Sequence, residues 1–89
     1  MKLGTKICVF WFDHASNPDY NDLTDPEPVL SVTPGWLKTW KKEGPVPFVV
    51  LAQAKFPEEG VLGDPTTILL PVVQKITNWS GKILWQPTP

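Results

Sequence analysis

Arginine is absent from this chain, and histidine, cysteine, tyrosine and methionine occur once each. Each shortage removes a kind of chemistry. Without arginine there is no bidentate fork for phosphate, carboxylate or guanine. One cysteine, Cys8, cannot close an intramolecular disulfide, so the fold must hold without a staple. One histidine, His14, leaves little for a metal site or a nucleophile–base pair. Long apolar runs are also missing. The longest, Ile7-Cys8-Val9-Phe10-Trp11-Phe12, ends at Asp13-His14. It is too short for a secretory leader and far below the roughly 20 residues of a membrane helix. No phosphate-cradling glycine pattern is present.

What the chain does have is tryptophan and proline, 5 and 11 among 89 residues, with 4 Phe. These are residues of packing, stiff loops and contact surfaces. The 42% hydrophobic and 19% charged composition is that of a globular chain. Its length makes one domain, 1–89, which buries roughly 60–65% of its unfolded surface. The net charge of -1 gives no global attraction to nucleic acid or an anionic membrane. The lone Cys8 and the absence of a leader suggest a cytoplasmic setting. Asn78-Trp79-Ser80 fits a glycosylation sequon, which matters only for a secreted chain.

Along the chain, Thr5 to Phe12 is rich in β-branched and aromatic residues and reads as a strand buried on both faces. Residues 13–28 hold five carboxylates, three prolines and no lysine. That stretch reads as a long acidic loop, expected to be the most mobile region. Val29–Val32 suggests a short strand. Thr33, Pro34 and the Gly44-Pro45 stop then frame a helix of about residues 34–43, with Trp36, Leu37 and Trp40 as its apolar stripe and Lys38, Lys41 and Lys42 on its wet face. Phe48 to Phe56 reads as a long strand. The stretch 66–77 is β-branched and is expected as a strand with Pro71 at an edge or bulge. Asn78-Trp79-Ser80-Gly81 matches a hairpin turn, and Ile83-Leu84-Trp85 a returning strand.

The candidate chemical sites are few. Cys8 and His14 stand about 20 Å apart if the strand is extended, so a direct dyad requires a sharp reversal. The acids Asp13, Asp19, Asp22, Asp25 and Glu27 could offer oxygens to calcium, but they match no known loop spacing and lack its glycine. Nothing selects a catalytic carboxylate pair. The lysine cluster with Trp36 and Trp40 has the ingredients of a single-strand binder, yet on a helix the two sets face apart. Trp79 is the sharpest residue, because a turn position usually faces water and tryptophan is enriched at interface hot spots. Its alternative is to fold back on a neighbouring strand.

Together these features predict an α+β domain. The expected architecture is a twisted antiparallel sheet of four or five strands, partly closed into a small barrel, with one short helix across it. A flat sheet backed by helices is the competing architecture and needs 65–77 to be helical. The expected function is that of a non-catalytic interaction domain with no cofactor and no metal. It would bind a protein partner and form a two-fold homodimer through Trp79 and the 82–86 strand. Trp79, Trp85, Ile83, Trp36 and Trp40 are the expected contact residues. A Trp-lined pocket for a small apolar or aromatic ligand is the alternative, and single-stranded nucleic acid a weaker one.

Overall fold

The computed structural model describes residues 1–13, 28–56 and 61–88. Its element order is β1 (Lys6–Asp13), β2 (Val29–Lys41), β3 (Phe48–Phe56), β4 (Val61–Leu69), a short 3-10 turn (Leu70–Val72), β5 (Val73–Asn78) and β6 (Ile83–Trp85). All six strands join one open sheet in the order β4-β3-β2-β1-β5-β6, and every described pairing is antiparallel.

The expected α+β class is therefore wrong. No α-helix occurs among the described residues, the sheet has six strands rather than four or five, and it does not close into a barrel. The segment 34–43 lies mostly within β2. The error has a definite cause. Leu37 and Trp40 are three apart and both pack into the core, which is helical spacing. A β-bulge between Leu37 and Thr39 inserts Lys38 as an unpaired residue. The extra residue resets the alternation, so positions three apart share a face. Thr33, Trp36, Thr39 and Trp40 all favour a strand once a partner is available.

Pro34 also has a place in this strand. It stands opposite Cys8 on β1, while the pairing of β2 with β3 begins only at Trp36. Its missing N–H therefore faces a side where no described strand pairs with it. Pro71 acts more strongly than expected. It lies in the 3-10 turn and divides the anticipated strand 66–77 into β4 and β5, which sit far apart in the sheet. The expected strands at 5–12, 48–56 and 83–85 are present, and so is the hairpin at Asn78–Lys82, where Gly81 takes a φ of 96°.

The sheet cannot be flat. Leu69 ends β4 opposite Phe48, which is level with Lys41 at the end of β2. Val73 starts β5 opposite Trp11, which is level with Ser31 near the beginning of β2. On a flat sheet these points would lie about 19 Å apart sideways and more than 30 Å lengthwise. The chain from Leu69 to Val73 reaches at most about 14 Å. The sheet must fold across itself, with β2 bending between its β1-paired and β3-paired halves. Bulges and bends are the usual devices for such corners.

Folding over creates the core. Ile7, Val9, Leu37, Val49, Leu51 and Ile76 are fully buried on the inner face. Ile68, Leu70 and Val73 join them, with Trp11, Trp40, Leu84 and Trp85 packed against the cluster. Trp40 and Trp85 meet edge to face, with ring centroids 5.6 Å apart, although β2 and β6 are not neighbours in the sheet. Trp11 donates its indole N–H to the Thr33 hydroxyl at 2.9 Å, so the polar atom of this inward ring is satisfied.

At the bend Gly35 is buried and passes close to β3. A Cβ there would lie 2.7 Å from the Ala52 carbonyl oxygen and 3.2 Å from the Leu51 Cβ. Gly35→Ala is thus expected to destabilise the fold by about 1–3 kcal/mol through overpacking. Urea denaturation checks this, and a loss within error of zero would show that β2 and β3 can separate at no cost.

Candidate functional site

The strand register places the side chains of β1 and β2 on two faces. Ile7, Val9 and Trp11 point inward. Lys6, Cys8, Phe10 and Phe12 point outward, directly opposite Trp36, Pro34, Val32 and Leu30. The outer face of this ribbon is therefore a row of apolar pairs that begins at Lys6–Trp36. Phe12, Leu30 and Val32 are exposed, as is Val29 at the end of the ribbon. The reading of 5–12 as buried on both faces is corrected here, since the outward side chains are only partly covered. A continuous apolar run does not distinguish a doubly covered strand from one whose outer face awaits a partner.

At the Lys6 end the row meets Trp79. The Lys6 ammonium stands 3.8 Å from the centroid of the Trp79 ring and 5.8 Å from that of Trp36. The two indoles flank the cation, and attraction to their electron-rich faces holds it there. Pro34, Gly35 and Gln53 complete a cleft of about 170 Å³ around them. A similar contact occurs further along the face, where Lys75 lies 4.7 Å over the Phe10 ring.

Trp79 is 57% exposed, yet its turn is firmly built. The Asn78 carboxamide oxygen accepts from the Ser80 N–H at 3.0 Å, the Ser80 hydroxyl at 2.9 Å and the Lys82 N–H at 2.9 Å. The Asn78 N–H donates to the Lys82 carbonyl at 2.8 Å, and the Gly81 N–H to the Asn78 carbonyl at 3.1 Å. An Asx-type turn thus supports a large aromatic side chain that faces solvent.

The five expected contact residues divide into three groups. Trp36 and Trp79 come together at the cleft. Trp40 and Trp85 come together inside, against the core. Ile83 is exposed on β6 and lines neither place. Lys6, Phe10 and Pro34 were not expected; the even spacing of Lys6 and Phe10 along β1 carried a signal, whereas Pro34 reaches this face only through the pairing of β2 with β1. Lys38, Lys41 and Lys42 do not line the cleft, and Lys41 instead approaches the Phe48 ring.

Cys8 is half-buried and opposite Pro34. His14 and the acids of 19–27 lie outside the described residues, so the Cys–His and calcium readings and the mobility expected for the loop cannot be placed. Among the described residues no three His, Cys, Asp or Glu side chains gather as a metal site. The same residues include no helix long and apolar enough to cross a membrane.

No protein family model matches this chain, and no curated protein or solved structure is similar to it at a significant level. The site is therefore read on its geometry. The charges divide unevenly along the sequence. All eight lysines fall among the described residues, with Asp13, Glu43 and Asp64 as the only carboxylates beside them, so the sheet is more basic than the net charge implies.

The rigidity of the Trp79 turn rests on one side chain. Asn78→Ala removes the acceptor of three hydrogen bonds and is expected to cost about 1–2 kcal/mol. It should also lower the fluorescence anisotropy of Trp79, measured in a background where the other tryptophans are replaced by Phe. Unchanged stability and anisotropy would show that the turn is held by its backbone alone.

Proposed function

We propose that this chain is a non-catalytic interaction domain that binds a protein segment along the outer face of β1 and β2, anchored by Trp79 and Trp36. The observation that carries the reading is the exposed Trp79 on a turn held by five hydrogen bonds, with its ring over Lys6. Solvent exposure of such a ring forgoes on the order of 1–2 kcal/mol of burial energy, which a partner recovers. Its fixed position means that little side-chain entropy is lost on binding. The apolar row from Pro34 to Phe12 continues from the anchor and gives a segment of extended chain a surface to cover.

A small aromatic ligand held between the two indoles is the second reading. The cleft volume of about 170 Å³ weighs against it, since small-molecule pockets usually enclose about 300–1,000 Å³. Single-stranded nucleic acid is the third, favoured by the lysine-rich sheet and weakened by the aliphatic Val32 and Leu30 along the same face. A cytoplasmic setting belongs to the proposal and rests on the single Cys8.

The test is cross-linked capture from the native host, identification of the captured protein, and calorimetry with both components purified. Trp79→Ala and Trp36→Ala are each expected to weaken binding by about tenfold or more, in line with hot-spot truncation. Full retention of affinity in both variants would overturn the reading. Binding of oligonucleotides that falls steeply with salt would replace the protein by nucleic acid. Saturable quenching of tryptophan fluorescence by small aromatic compounds would favour the pocket.

A further inference from the structure

The sheet has two nominal edges, and both are defended. On β4, Asp64 has a φ of 51° and is followed by Pro65, which stands opposite Ala52. A kink and a missing N–H together spoil the edge as a template. On the other side β6 has only three residues and is followed by Gln86 and Pro87. A third edge is less visible. β2 pairs with β1 from Val29 to Trp36, but its pairing with β3 starts at Trp36. Among the described residues nothing pairs with the other side of Val29–Thr33.

Between Pro28 and Pro34, and among the described residues, this third edge has none of the usual defences. It holds Val29, Leu30, Ser31, Val32 and Thr33, with no charge and no proline, and its composition is strongly strand-forming. The direction of its backbone groups follows from the pairing. The Leu37 N–H bonds to the Thr5 carbonyl at 2.8 Å on the β1 side. In an antiparallel ladder alternate residues share that direction. Val29, Ser31 and Thr33 therefore bond to β1, whereas the N–H and C=O groups of Leu30 and Val32 point to the open side. Pro34 fits this parity, because its nitrogen also points to the open side.

We infer that this edge is the self-association surface, where the β2 strands of two copies pair antiparallel about a two-fold axis at Ser31. The inference rests on the interaction-domain reading and deepens it by naming a second copy as one partner, at the Leu30–Val32 end of the same outer face and away from the Trp79 cleft. The occupant follows from self-complementarity. In this register Leu30 of each copy lies opposite Val32 of the other, and the N–H and C=O groups of all four point into the ladder, with no partner among the described residues of their own chain. Ser31 meets Ser31, and Val29 meets Thr33. Exposed Leu30 and Val32 side chains then adjoin on the outer face. Because the strand carries no charge, the two-fold brings no like charges together. Pro28 and Pro34 bound the register, since sliding by two residues sets one of them, without an N–H, opposite Val32 or Leu30. The paired strands are short, so the contact is expected to bury less than stable interfaces of about 1,600 Å² and the dimer to be weak.

The experiment uses the whole chain. Sedimentation from micromolar to sub-millimolar concentration should show a monomer–dimer equilibrium. Amide exchange by NMR gives the register. At low concentration the Leu30 and Val32 amides should exchange fast and the Ser31 and Thr33 amides slowly. On dimerisation Leu30 and Val32 should slow by about tenfold or more. The double variant Leu30→Lys/Val32→Lys should remain folded, because both side chains are exposed, and should be monomeric. A wild-type monomer at sub-millimolar concentration overturns the inference. So does a dimer that survives the lysine pair, or one that leaves Leu30 and Val32 exchange unchanged. Dimer loss in Trp79→Ala with no effect of the lysine pair would move the contact to the turn and also overturn it. Leu30 and Val32 also lie on the proposed binding face. The lysine pair is therefore read only by sedimentation and amide exchange of the purified chain, whereas the earlier reading is tested by partner affinity in the single Trp79→Ala and Trp36→Ala variants, and the two can fail separately.

Discussion

Three residues, Leu70 to Val72, connect strands at opposite parts of the sheet, and the rest of the fold adjusts to that short reach. The connection is possible only if the sheet folds across itself. Folding needs a strand that serves both halves, and β2 is that strand. Its bend needs a residue without a side chain where it crosses β3, which Gly35 supplies, and an extra residue to redirect the pleat, which is Lys38. The core then forms from inward residues of one sheet. Trp40 and Trp85 close it from strands that are not hydrogen-bonded to one another.

The same geometry produces the surface features. A strand shared by two halves leaves part of its edge behind when β3 departs, and that part, Val29–Thr33, has no second partner among the described residues. A ribbon covered only on its inner face leaves Phe10, Phe12, Leu30 and Val32 towards solvent. Neither feature contributes to the core. Both cost solubility if left bare, which is the physical reason to regard them as contact surfaces. The lysines on this face are not isolated charges, since Lys6 and Lys75 each lie over an aromatic ring. They screen part of the apolar area while remaining available to an anionic group.

The tryptophans illustrate how one residue type takes several roles. Trp11 is inward with its N–H bonded to Thr33. Trp40 and Trp85 fill the gap between the two halves. Trp36 and Trp79 frame the cleft around Lys6. An abundance of tryptophan in a small chain signals both packing and contact, and composition cannot divide the five between those uses.

The sequence by itself determined the local features. The β-branched runs at 5–12 and 48–56, the turn at Asn78–Gly81 and the returning strand after it are set by steric preferences within a few residues, and they were readable. The turn carrying Trp79 was readable, but whether the ring would face solvent or fold back on a neighbouring strand was not; it is largely exposed and lies over Lys6. The strand nature of 34–43 was not readable, because a bulge at Lys38 gives Leu37 and Trp40 helical spacing, and its strand form depends on β1 and β3 as partners. The separation of β4 from β5 was equally hidden. Pro71 marks a break, but where the chain goes next is decided by which distant strand offers an unpaired edge. The cleft of Lys6, Trp36 and Trp79 joins residues from three distant parts of the chain. Only the tertiary structure decided that grouping, because strand register is a cooperative outcome of inward residues finding a common core rather than a property of any one segment.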